Sequence, residues 1–232
     1  MDALQAALLA LIQGLTEFLP VSSQAHLVLY SMFTQQPYQG LDFDIILHFG
    51  SLVAVTAYFR RELFAMAKDW MVSLRGQGSS AEAKLAWLII IGTLPAGILG
   101  LLFKDLAEIA LRSPLIMASS LIVFGLALGW ADWRYRGSRD EYSLGIRDAV
   151  VIGLAQAVAL IPGTSRSGIT ITAGLFLGMT REAATRFSFL LSVPIIAAAG
   201  LLGLVDVARE GVQAGAVPLL VGFVIAVLST YA

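Results

Sequence analysis

The chain contains no cysteine. That absence removes disulfides, thiolate metal centres and cysteine nucleophiles. Charge is also scarce: Asp, Glu, Lys and Arg make up 13% of the 232 residues, against roughly 25% in a soluble domain. A net charge of −1 offers no basic surface to a nucleic acid. Histidine occurs twice. The N-terminus, MDALQAALLALIQG, has neither a basic n-region nor a small-residue cleavage site, and reads as mature sequence. What remains is apolar. The chain is 58% hydrophobic with a mean hydropathy of +0.82, the composition of a polytopic membrane protein.

A helix crossing a bilayer core needs about 20 apolar residues. Runs of that kind occupy 42–59, 85–103, 114–130, 187–205 and 214–231. Two further apolar stretches are shorter and broken by Pro, Gly and polar residues: 3–19 followed by 22–33, and 148–161 followed by 165–178. The segment 60–84 reads as a loop carrying Arg60, Arg61, Lys68, Arg75 and Lys84. The segment 131–147 carries Arg134, Arg136, Arg139 and Arg147. Two spans separate these basic segments, so they share one side, which the positive-inside rule places in the cytoplasm. The short segment 104–113 then faces outward, its Lys104 and Arg112 balanced by Asp105 and Glu108.

The broken stretches resemble each other. GLTEFLPVSSQAH (14–26) and QAVALIPGTSRSG (156–168) each run an apolar half-helix into a proline, a small residue, two hydroxyl residues and a large polar head. Pro20 aligns with Pro162, Ser22 with Thr164, Ser23 with Ser165, and Gln24 with Arg166. If both stretches are re-entrant hairpins, the first enters from outside and the second from the cytoplasm. The expected fold is therefore an all-α integral membrane bundle, one transmembrane domain over 1–232. It carries two re-entrant broken-helix hairpins in an inverted-topology repeat, with halves near 1–130 and 131–232. Paired interrupted segments point to a binding site near the midplane.

The residues at the two breaks carry chemistry. Gln13 and Glu17 are four apart and share a helical face. Ser22 or Ser23 can cap the helix after Pro20, and Ser23 and His26 share its first turn. Ionisable residues within membrane segments are rare and usually functional. His48, alone in an apolar span, reads instead as a packing or hydrogen-bonding residue. In the second break, Thr164, Ser165, Arg166 and Ser167 stand at a helix N-terminus, where free N–H groups attract anions. Gly163 and Gly168 would let the backbone approach a ligand, and arginine supplies a fork for phosphate oxygens. Gln13 and Glu17 can hold a hard divalent cation through oxygen. His26 or Ser23 supplies a base or nucleophile. This inventory suits hydrolysis of a diphosphate ester at a membrane.

The motifs resemble a known family, the undecaprenyl-diphosphatases or bacitracin-resistance proteins, along essentially the whole chain. The matching strings are QGLTEFLPVSSQAHL (13–27), FDIILHFGSLVAV (43–55), YFRREL (58–63), PGTSRSG (162–168) and REAATRFSFLLSVPI (181–195). The resemblance implies a multi-pass hydrolase of the bacterial inner membrane. Its substrate would be a polyprenyl diphosphate lipid, its cofactor Mg²⁺ or Ca²⁺, and a homodimer is compatible with it. The family's E/Q-x-x-x-E motif falls on Gln13 and Glu17, its serine–histidine pair on Ser23 and His26, and its phosphate-binding arginine on Arg166, beside Thr164 and Ser165. Hydroxyl or water attack assisted by His26 is the mechanism favoured on this reading. The chain departs from the family in having Ala25 where S-S-x-G-H has glycine. It also ends at Ala232 inside an apolar run where members continue, so a truncated or divergent C-terminus is expected.

Two rivals were weighed against the hydrolase. A transporter of undecaprenyl phosphate would use the same broken helices. A type-2 phosphatidate phosphatase would need S-R-x5-H, and SRDEYSLG (138–145) has Gly145 where that histidine belongs.

Overall fold

The computed structural model describes residues 1–37, 39–76, 78, 80–103, 113–212 and 214–232. The segment 104–112, with the charge balance expected there, lies outside them. The described chain is helical: α1 (Ala3–Thr16), α2 (Ser23–Thr34), α3 (Leu41–Tyr58), α4 (Arg60–Leu74), α5 (Ala81–Leu102), α6 (Pro114–Arg134), α7 (Ile146–Val158), α8 (Arg166–Phe176), α9 (Arg181–Glu210) and α10 (Ala216–Tyr231). Helices α5, α6 and α9 are long and apolar enough to cross a membrane. The outward face of α1 shows why water is the wrong solvent. Leu4, Leu8, Leu11 and Leu15 are exposed at helical spacing, while Ala6, Leu9, Ala10 and Gln13 are buried behind them. A helix apolar on both faces belongs in lipid or a core.

One expectation is corrected. Residues 60–74 do not form a loop but α4, bent by 80° from α3. Arg60, Arg61, Glu62, Lys68 and Asp69 cannot continue into hydrocarbon. Helix propensity keeps the chain coiled, so it turns aside and lies across the end of the bundle. Phe64, Met71 and Leu74 remain exposed along it, the pattern of an interfacial helix.

The directions of the helices establish the inverted repeat. Helix α3 ends at Tyr58, whose ring lies 6.4 Å from that of Tyr231 at the end of α10. Glu62 and Arg61 mark this arginine-rich end, and Glu82 at the start of α5 shares a pocket with them. Gly14, near the end of α1, lies against Ser229 and Thr230 near the end of α10, so α1 runs toward the arginine-rich end. Gly92 of α5 lies against Ala149 and Gly100 against Leu160, so α7 runs alongside α5 and away from that end. The two hairpins, α1–α2 and α7–α8, therefore enter from opposite ends. Helix α10 packs between α1 and α3 as α5 packs between α7 and α9, and α3 and α9 meet in the middle.

Close backbone approach makes these contacts possible. A Cβ on Gly153 would sit 2.4 Å from the Gly92 carbonyl oxygen, and backbone cannot move aside as a side chain can. Gly153→Val is expected to destabilise the fold by about 1–3 kcal/mol, the usual range for overpacking. A lowered melting temperature in detergent would be the readout.

Candidate active site

Each hairpin breaks at a proline, but the breaks differ by one residue. Helix α1 ends at Thr16, and the Glu17 N–H still donates to the Gln13 carbonyl at 2.9 Å. Pro20 disfavours helical geometry at Leu19. The chain then reverses through Ser22 at φ 61°, ψ 94°, a region rarely occupied by side-chain-bearing residues. The Ser22 hydroxyl caps α2 by accepting the Ala25 N–H at 3.4 Å. In the second hairpin the cap of α8 is Ser165, which accepts the Gly168 N–H at 3.2 Å. Gly163, at φ +87°, adds a residue before that cap. Structural equivalence is thus Ser22 with Ser165, one position away from the string alignment. Ser23 and Arg166 become counterparts at the first position of their helices. Gln13 and Gln156, both buried, stand in the helices that precede the two breaks.

The two turns meet around Glu17. Arg166 donates from Nη2 to Glu17 Oε1 at 2.8 Å. Ser23 Oγ and Gln13 Nε2 donate to Glu17 Oε2 at 2.8 and 2.9 Å. Ser167 Oγ donates to the Leu19 carbonyl at 3.1 Å and stitches one turn to the other. The Glu17 side chain is 7% exposed and that of Arg166 16%. A buried ion pair needs this many hydrogen bonds to offset desolvation. Phe18 supports the arginine from the apolar side: the guanidinium carbon lies 5.7 Å from the Phe18 ring centroid, and Phe189 meets Phe18 edge-on at 4.9 Å.

The expected residues fall into distinct places. Glu17, Ser23, Arg166 and Gln13 converge. Thr164 is buried in the same turn, and its Oγ1 has no partner. Ser22 and Ser165 act as helix caps, and Ser167 is turned to Leu19. The missing side chain of Gly163 admits α6 rather than a ligand, since a Cβ there would lie 2.2 Å from the Met117 carbonyl oxygen. That of Gly168 admits Ser165 and Pro20. His26 bonds through Nδ1 to the Ser22 carbonyl at 2.9 Å, within its own turn. The group in contact with the Ser23 hydroxyl is Glu17. Ala25 sits in regular helix, buried, and its position there requires no glycine.

His48, expected to be a packing or hydrogen-bonding residue, does hydrogen-bond, and it also stands beside the site. Its Nε2 lies 3.7 Å from Glu17 Oε2, and its side chain is 38% exposed. Nδ1 bonds to the Asp44 carbonyl at 2.8 Å. The signal was available, because an ionisable residue inside a span is functional by default.

Three buried polar atoms at this site have no hydrogen-bond partner among the described residues: Gln13 Oε1, Thr164 Oγ1 and Arg166 Nη1. Leaving such atoms unpaired costs about 1–3 kcal/mol each. Their collection at one carboxylate, beside the N-terminus of α8, describes a site waiting for a polar ligand. Among the described residues, no three His, Asp or Glu side chains gather as a metal cluster. The oxygen donors present are the Glu17 carboxylate and the Gln13 amide. A separate cavity of about 550 Å³ opens at the arginine-rich end between Glu62, Arg181 and Arg186, and Phe18 forms part of its lining.

Fold and site together define a polytopic membrane protein that gathers an arginine, a carboxylate and a hydroxyl at two broken helices. Comparison with known proteins makes this more specific. Residues 6–232 match the family described as Bacitracin resistance protein BacA, and the chain belongs to that family. It is 50% identical over 232 residues to the undecaprenyl-diphosphatase of Nitrosococcus oceani, covering all of this chain and 88% of that protein. It is 53% identical over 234 residues to the undecaprenyl-diphosphatase of Thioalkalivibrio sulfidiphilus, covering all of this chain and 87% of the relative. Undecaprenyl-diphosphatase 2 of Stutzerimonas stutzeri is 50% identical over 234 residues, with the same coverage.

Proposed function

We propose that this chain is a membrane hydrolase that removes the terminal phosphate of undecaprenyl diphosphate, giving undecaprenyl phosphate and inorganic phosphate. The activity returns the lipid carrier to cell-wall synthesis and underlies resistance to bacitracin. The observation that carries the reading is the set of unpaired buried donors, Arg166 Nη1 and Thr164 Oγ1, beside a serine already bonded to a carboxylate. Phosphoryl transfer needs just such positioned donors around a nucleophile.

Ser23 is the nucleophile. Its Oγ attacks the terminal phosphorus, its proton passes to the Glu17 carboxylate, and the bond from phosphorus to the bridging oxygen breaks to release the lipid monophosphate. Water then attacks the phosphoserine; the bond from phosphorus to Ser23 Oγ breaks, the proton held on Glu17 returns to that oxygen, and the water's protons leave with the inorganic phosphate. Arg166 acts in both steps. In the resting site it is bonded to Glu17 Oε1. When phosphate oxygens take up its donors, Glu17 is released to accept the serine proton. His26 shapes the turn through the Ser22 carbonyl rather than taking that proton.

A divalent cation fits the donor set. Gln13 Oε1 is buried without a partner, and the Glu17 carboxylate is one turn away on the same face. These residues would hold the ion, with substrate phosphates and water completing its shell. Bound there, it would neutralise charge on the diphosphate. The chain sits in the inner membrane of a bacterium with its arginine-rich end in the cytoplasm, on the charge asymmetry of its loops.

A second reading, transport of undecaprenyl phosphate, is favoured by one observation. The 550 Å³ cavity reaches Phe18 from the arginine-rich end, and Phe18 lies against Arg166. Phosphate release from undecaprenyl diphosphate by purified protein in detergent, with and without EDTA, separates the two. Detergent leaves no compartments, so a pure transporter releases nothing. EDTA-sensitive release is expected, and none from folded protein would overturn the hydrolase.

A further inference from the structure

His48 faces Glu17 in a way that a hydrogen bond does not explain. Its Nδ1 lies 2.8 Å from the Asp44 carbonyl oxygen. A carbonyl only accepts, so Nδ1 carries the proton. In the neutral ring, the form that binds a metal, the lone pair is then on Nε2, and Nε2 stands 3.7 Å from Glu17 Oε2. In that state two electron-rich atoms point at one another. The gap exceeds the roughly 2.7–3.2 Å of a hydrogen bond. It is within reach of one shared cation, whose bonds to imidazole nitrogen and carboxylate oxygen are about 2.0–2.2 Å each.

Two further observations agree. A metal-binding histidine almost always donates its other ring N–H to a carbonyl or carboxylate, which fixes the ring and its tautomer. Asp44 does this for His48. The Gln13 amide head lies 2.9 Å from the same Glu17 oxygen, and its Oε1 is fully buried without a partner. With its oxygen turned to that place, two oxygens would stand at about the spacing of neighbouring ligands around a cation with bonds of about 2.1 Å. His26 shares the carbonyl contact, but no carboxylate among the described residues meets its other nitrogen.

We propose that His48 Nε2 is the third protein donor, with Glu17 Oε2 and Gln13 Oε1, of a cation site that prefers a nitrogen-accepting dication such as Mn²⁺ over Mg²⁺ or Ca²⁺. The proposal rests on the cation reading given above and narrows it. Imidazole suits first-row transition metals, whereas Mg²⁺ and Ca²⁺ favour all-oxygen shells. Three protein donors leave open positions for substrate phosphate, as a catalytic site requires.

The test uses binding rather than turnover. Mn²⁺ is titrated into the full-length protein in detergent with methylenediphosphonate present. The loss of the free Mn²⁺ signal gives affinity, and pulsed electron paramagnetic resonance reports directly bound nitrogen. Wild type is expected to show one histidine ¹⁴N coupling, and ¹⁵N-histidine labelling should alter it with no mutation at all. His48→Gln should abolish the coupling and weaken Mn²⁺ by about ten-fold or more, while Ca²⁺ competition in the variant changes little. His26→Gln should keep the coupling. A merely structural histidine would shift Mn²⁺ and Ca²⁺ alike. Mn²⁺ bound without nitrogen coupling, or a coupling lost in His26→Gln instead, overturns the role of His48 and leaves the cation site standing. Folded wild type that binds no Mn²⁺ overturns the cation site itself.

Discussion

Replacing Arg166 by alanine should lower kcat/KM for phosphate release by at least about a thousandfold, the range seen when an arginine that neutralises a transferring phosphoryl group is lost. Two effects add in this variant. The transition state loses its fork of donors, and Glu17 loses the partner that holds it at 2.8 Å in a site with little access to water. Breaking a buried pair by removing one member costs about 3–5 kcal/mol, because the other charge stays behind. Low activity alone would therefore be ambiguous. The double variant Arg166→Ala with Glu17→Gln separates the causes: its melting temperature should recover, because no uncompensated charge remains, while its activity stays lost. Arg166→Lys keeps the charge but not the fork, and should recover only part of the rate. Activity of Arg166→Ala within ten-fold of wild type would remove the phosphoryl-binding role.

The same pair shows how far the fold could be read from the chain alone. The spans and both breaks were legible because the bilayer dictates length and proline dictates interruption. These are local constraints, and α3, α5, α6, α9 and α10 lie close to the apolar runs. Glu17 and Arg166 are 149 positions apart, and nothing local joins them. Only the likeness of the two turns hinted that they meet. That likeness misled by one residue, because Gly163 lengthens the second turn before its cap. Past the break Ser23 matches Arg166; before it, where Pro20 still aligns with Pro162, Glu17 matches Ala159. The repeat has thus been divided: one copy supplies the hydroxyl and carboxylate, the other the cation. Helix α4 was missed because its charges were read as marking a loop, when they mark a helix leaving the membrane. The hydrogen-bonding reading of His48 holds, but its approach to Glu17 was not legible, because its neighbours in sequence are apolar and Glu17 comes from another helix.

The division of labour between Ser23 and His26 gives the sharpest remaining test. Ser23→Ala should reduce kcat by on the order of ten-thousandfold or more, as loss of a nucleophile does when no substitute is at hand. His26→Gln should cost about ten-fold or less. The difference follows from what each side chain touches. Ser23 Oγ is bonded to Glu17 Oε2 at 2.8 Å, poised to lose its proton as it attacks. His26 is bonded to the carbonyl of Ser22, a residue held at positive φ, and so braces the turn that aims the serine. A glutamine amide can donate to the same carbonyl, so the brace survives the substitution while any acid–base role would not. Acid quenching during turnover of substrate labelled in its terminal phosphate should trap phosphoserine in wild type and nothing in Ser23→Ala. If His26→Gln were as inactive as Ser23→Ala, or if the trapped label proved acid-labile and resided on histidine, the nucleophile would be His26 and the contact between Ser23 and Glu17 would be structural.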